Sequence, residues 1–150
     1  MEKGLIFSID AVIAASILLL SLTLIFISFN YFAQNQIQNT KESNKELFAL
    51  TLSESIVKNR NEKEPWKGAA YFNSEKQRVE QNVIDASLLK KIPETDFGDY
   101  WLSGIYERNT QGVKYFFNKQ KNNCLVVERF VVMKDFLEQK TILGLVICEE

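Results

Sequence analysis

Residues 11–40 carry no charged side chain, and residues 11–29 are almost wholly apolar. Wound as a helix at about 1.5 Å per residue, residues 5–33 cover about 43 Å, against about 30 Å of bilayer hydrocarbon. The run has no proline and, after Gly4, no glycine, so nothing within it breaks a helix. A secretory signal is the first competitor, but its apolar core runs only about 7–15 residues. Tyr31 is also a poor small residue for a cleavage site ending at Ala33. The segment reads as membrane-spanning.

Composition narrows the rest. The 150 residues allow one domain, or one domain plus an appendage. Glu2, Lys3 and Asp10 are the charges of residues 1–33, and beyond them acidic and basic residues balance, which leaves no electrostatic footprint for nucleic acid. There is no histidine, which removes Ser-His-Asp and Cys-His catalysis and His-ligated zinc. Two cysteines are too few for a cysteine-built zinc or iron–sulfur site. Phosphate-loop, dinucleotide and zinc-protease motifs are absent. Glu94, Asp96 and Asp99 crowd one stretch, but their spacing is not that of an EF-hand, and loop acids are usually solvated. Glu128 and Arg129 point to opposite faces of a strand, which suits pairing or an interface better than catalysis. The sequence therefore predicts no catalytic residue, no metal site and no cofactor.

Further along, residues 34–57 are polar with a sparse apolar set. Ile37 belongs to that set; Phe48, Leu52 and Ile56 recur at four-residue spacing, and Leu47, Leu50 and Val57 extend one stripe, so one face is helical and buried. With no breaker between Leu5 and Val57, the sequence predicts one helix of about 53 residues, about 80 Å long; two helices hinged at residues 35–39 are the alternative. Residues 58–65 form a charge-dense break, and residues 66–72 a short strand or loop turning Trp66, Tyr71 and Phe72 inward. Ser74 with Gln77 has the capping-box pattern, which predicts a short amphipathic helix stopped by Pro93. From Tyr100 the period falls to two, with strands at 100–108, 113–118, 124–133 and 142–148. Short connections favour a four-stranded antiparallel meander. Aromatic residues of 100–117 suit core packing better than an adhesion surface. The predicted class is α+β, with a head at 58–150 whose sheet occupies 100–149.

A hairpin folded about Phe136 places Cys124 opposite Cys148, at the alpha-carbon separation of about 4.5–5.5 Å that a disulfide needs. An extracellular head favours the bridge, and a cytosolic one favours two buried thiols. Topology is open on charge alone, since Lys3 precedes the span while Lys41 and Lys45 follow it. Asp10 lies near the start of the span. It either reaches headgroups or pairs with a positive group in an assembly.

Residues 3–14, KGLIFSIDAVIA, resemble the amino terminus of type IV pilin-like proteins, and most closely the archaeal ones. The resemblance implies a class III signal peptide: a leader of residues 1–4, cut by a prepilin peptidase between Gly4 and Leu5, with Lys3 as the preceding basic residue. Typical pilins carry a glutamate at the fifth position after the cut, which here is Ile9; the acid is Asp10, turned by about 100° around the helix. The resemblance further implies that residues 5–33 hold the subunit in the membrane and then pack against identical helices, with Asp10 satisfied in the bundle. Ala11, Ala14, Ala15 and Ser16 would allow close helix approach. The implied protein is a pilin or minor pilin-like subunit, single-pass in the cell membrane with its head outside, whose partners are the membrane, other pilin-like subunits and the peptidase. The alternative is a non-polymerising anchored ectodomain accessory to a surface or secretion complex.

Overall fold

The computed structural model describes residues 2–119, 122–134 and 139–149, with side chains of 9–119, 122–134 and 140–149. The chain divides into two compact units, Met1–Glu42 and Ser43–Glu150. Met1 of the expected leader lies outside the described residues.

Helix α1 (Glu2–Lys58) is unbroken in its helical hydrogen bonding, residues 35–39 included. In the first unit it is the sole element, and its described residues are exposed except Ala33, which is half-buried. In the second unit α1 turns one stripe inward: Lys45, Ala49, Leu52, Ser53, Ile56 and Val57 are buried and Phe48 half-buried. The spacing of three and four keeps these side chains on one helix face. Leu47 and Leu50, expected in that stripe, are exposed, as is Ile37 in the first unit. Ala49 and Ser53 take inward positions, and Phe48 packs against Phe97 and Tyr100.

The rest of the second unit is a 3₁₀ turn (Pro65–Lys67), strands β1 (Ala70–Asn73) and β2 (Arg78–Asp85), one helical turn α2 (Ala86–Leu89), and strands β3 (Thr95–Asp96), β4 (Tyr100–Asn109), β5 (Gly112–Asn118), β6 (Cys124–Lys134) and β7 (Gln139–Glu149). They make one seven-stranded mixed sheet in the order β1-β2-β6-β7-β4-β3, with β5 also paired to β4. β2 and β6 run parallel, and the other pairs antiparallel. The core lies between the inner sheet face (Ile84, Leu102, Ile105, Val131, Met133, Leu143, Leu145, Ile147) and the α1 stripe with Leu88, Leu89 and Ile92.

The class is α+β as expected, but the sheet is larger than four strands and is not a meander. β4–β5 and β6–β7 are hairpins, and they meet through β4 and β7 rather than β5 and β6. The reason lies in which strands tolerate burial on both faces. β7 carries Ile142, Leu143, Leu145, Val146 and Ile147 and takes the centre, while β5, with Lys114 and Asn118, is left on an edge.

The helix expected after Ser74 is also absent. Asn73 Oδ1 accepts from the backbone N–H groups of Glu75 and Lys76 at 3.0 and 3.1 Å, and Gln77 takes φ +50°. Those contacts make the Ser74–Gln77 stretch a hairpin turn, and residues 78–85 pair with β1 and β6 as β2. The helical turn is capped instead by Asp85, whose carboxylate accepts from Ser87 N and Leu88 N. Burial would raise the Asp85 pKa, but hydrogen bonds from Ser87 and Arg60 outweigh it and hold the carboxyl below its usual range. Arg60 reaches Asp85 at 3.2 Å just beyond the end of α1 and so ties the helix exit to β2. Gly68 belongs to the same junction, because a side chain there would run into the Asn59 backbone.

Candidate functional site

Among its described residues, the first unit offers the surface of a single helix. Its large side chains are as exposed as side chains on an isolated helix, Leu20 at 64% and Phe29 at 68%. Four hydroxyls along it are already satisfied: Ser16, Ser21 and Ser28 donate to the carbonyl four residues back, and Thr23 to that three back, each at 2.8 Å. Such back-bonding removes the main cost of placing a hydroxyl in hydrocarbon or against another apolar helix. Asp10, Ala11, Ala14, Ala15 and Ser16 are all exposed on this surface. Lys3, Gly4 and Leu5 lie within α1 by backbone, and their side chains are outside the described residues. The helix is long and apolar enough to cross a membrane, its most apolar window having a mean hydropathy of 2.6 with none of it buried.

In the second unit the disulfide Cys124–Cys148 joins the ends of β6 and β7, whose alpha-carbons are 4.0 Å apart. The two residues face each other in the ladder, and the pairing stays in one register from Cys124↔Cys148 to Met133↔Gln139. Phe136, the expected centre of the hairpin, lies outside the described residues. Ser103 Oγ donates to Cys148 Sγ at 2.9 Å in a buried setting. Beside the bridge, Lys45 Nζ of α1 donates to Asn123 Oδ1 at 2.9 Å, and Asn123 Nδ2 donates to Glu149 Oε2 at 2.6 Å. Sequence reasoning gave Lys45 no role beyond its charge count. Nothing local marks it, because its partners stand 78 and more residues away.

The outer sheet face carries a second polar cluster. Glu128 accepts from Tyr106 Oη and from Arg108 Nη2, each at 2.6 Å, while its neighbour Arg129 points inward and donates to Ser53 Oγ at 3.1 Å. The opposite-face reading of that pair therefore holds. Tyr106 reaches Glu128 across β7 because Gly144 leaves the space; a Cβ at 144 would fall on the tyrosine ring. Burial first, then the bond to Glu128, pushes the Tyr106 pKa up to about 12. Phe130 stands near this cluster at 83% exposure, over an apolar hollow with Ile142 and Thr141.

The aromatic stretch divides between the two faces. Tyr100, Phe116 and Phe117 pack on the core, whereas Tyr115 lies outward against Tyr106 at 5.5 Å. Trp66 packs inward as expected, while Phe72 is exposed. The loop acids do not converge: Glu94 pairs with Lys119, and Asp96 accepts from Gly98 N at 2.7 Å. Among the described residues no three His, Cys, Asp or Glu side chains are grouped to hold a metal.

No protein-family model, no curated protein and no solved structure matches this chain.

Proposed function

We propose that this chain is a structural subunit of a type IV pilus-like surface filament, inserted in the membrane and assembled through α1, with no chemistry of its own. The observation that carries the reading is the division of labour along one helix. Residues 9–32 expose an apolar surface whose serine and threonine hydroxyls are internally bonded, while residues 45–57 turn one stripe into the head. A uniformly apolar helix exchanges lipid for identical helices with little change in burial, so one surface serves both states. A long amino-terminal helix followed by a sheet-bearing head is compatible with a pilin-like fold, and the KGLIFSIDAVIA terminus supports it from the sequence side. In this reading Gly4–Leu5 is the bond cut, Asp10 is the group neutralised inside the bundle, and the disulfide supports a head outside the cell.

The test is the intact mass of the chain extracted from its native membrane, with electron microscopy of the sheared surface fraction. The expected result is loss of residues 1–4 and filaments that contain the chain, with Asp10→Ala abolishing filaments while the head stays folded. An uncut, monomeric protein would overturn assembly and leave an anchored ectodomain.

A further inference from the structure

We propose that Lys45, Asn123 and Glu149 form a modification site, at which the Lys45 amine and the Asn123 side-chain carbonyl close an isopeptide bond with Glu149 as proton carrier. The three side chains come from α1, from the residue before β6, and from the end of β7. Lys45 Nζ stands 2.9 Å from Asn123 Oδ1. A carbonyl bond of about 1.23 Å therefore puts the amine within about 4.1 Å of the carbon it would attack, one small rotamer adjustment from attack distance. Glu149 Oε2 lies 2.6 Å from Asn123 Nδ2, the leaving nitrogen, and 3.8 Å from the Lys45 ammonium. One carboxylate oxygen thus hydrogen-bonds the leaving nitrogen and lies at ion-pair distance from the ammonium, which must close by several tenths of an ångström before its proton can pass.

The step balances without a co-reactant. The Lys45 ammonium gives a proton to Glu149, and the freed amine pair forms the N–C bond at Asn123 Cγ. The C–Nδ2 bond then breaks as Glu149 returns the proton to nitrogen, and ammonia leaves, taking up the second amine proton. The products are a secondary amide and ammonium, and Glu149 ends as it began.

Three features make the site more than a surface contact. Lys45 is only 8% exposed, an uncommon setting for a lysine, so its amine is held in place rather than sampling solvent. Asn123 has φ +55°, a left-handed backbone that aims its amide between the two partners. The bridge Cys124–Cys148 follows Asn123 by one residue and precedes Glu149 by one, so it fixes the amide against the carboxylate. Asn123 itself is exposed, which gives ammonia a way out. Only one turnover per molecule is required, and held proximity is worth several orders of magnitude in rate. The product would bind α1 covalently to the β6–β7 end independently of the disulfide, and the inference stands whether or not filaments form.

The test is mass spectrometry of the full chain, purified in detergent, then reduced and denatured. The expected result is a mass one ammonia below that of the residues present, and after trypsin a branched peptide joining the Lys45 and Asn123 segments, uncut at Lys45. Lys45→Arg and Glu149→Gln should each restore the full mass, and the glutamine variant should keep its thermal unfolding transition after the bond is lost. Full mass in the unaltered chain with trypsin cutting at Lys45 overturns the proposal. Ammonia loss without the branched peptide, as a succinimide at Asn123 would give, overturns it too, and so does a Glu149→Gln chain that still forms the bond.

Discussion

Tyr106 shows how one side chain can depend on an absent one. Its ring occupies the place of a side chain at Gly144 and carries the hydroxyl across a strand to Glu128 at 2.6 Å. The hydroxyl donates there only while protonated, and its pKa is raised to about 12, well above that of a free tyrosine. The folded state therefore holds this proton more tightly than the unfolded chain. Its contribution is whole below about pH 10 and fades as pH climbs through that range towards about 12. Denaturant unfolding at about pH 9 and about pH 11 should show a loss of stability that Tyr106→Phe reduces. An equal loss in the variant would mean that other groups carry it. Neither Gly144 nor Tyr106 is conspicuous in the sequence, because the contact crosses from β4 to β6 over a third strand.

Among the elements, the β6–β7 hairpin was the most legible. Alternating apolar residues and a symmetric pair of cysteines specify its register, and β7 pairs with β6 in that register throughout. Cross-linking residues 24 apart constrains the unfolded chain, and breaking such a bridge costs on the order of 2–4 kcal/mol. Cys124→Ser with Cys148→Ser should lower the thermal midpoint of the head by several degrees, as reductant should for the unaltered protein; an unchanged midpoint in both would show that the hairpin needs no staple. The β2 region was misread for a physical reason. Val79, Val83, Ala86 and Leu89 fit a helical stripe, but the first two fit a strand as well, and a short run leaves the choice to hydrogen bonding with β1 and β6. The order of the strands was equally hidden, since each hairpin is local while the β4–β7 pairing joins them at a distance.

Across the whole molecule, one helix belongs to two compact units, exposed all round in the first and packed along one stripe in the second. In the first unit, Leu19 is 61% exposed on a face with no charged side chain within a turn of it, whereas in the second Leu50 is 45% exposed beside Glu46 and Glu54. An aspartate near the middle of a membrane span costs about 2.5–3.5 kcal/mol on insertion scales. Leu19→Asp should therefore shift much of the chain out of carbonate-washed membranes, while Leu50→Asp leaves it there; equal retention of both variants would argue against burial of the first unit in lipid.

The sequence alone determined the properties set by local chemistry and periodicity. These are an unbroken helix with an uncharged apolar half, a change to strand period after Tyr100, and a hairpin whose two cysteines meet. Neighbours in the chain dictate such features, and distant partners scarcely alter them. The tertiary structure decided which residues of α1 face inward, that residues 78–85 join a sheet, that β7 rather than β5 sits beside β4, and that Lys45 meets Asn123 and Glu149. Each of these outcomes depends on burial and pairing between segments far apart in the chain, where the free energy is that of surfaces meeting and leaves no mark on either segment by itself.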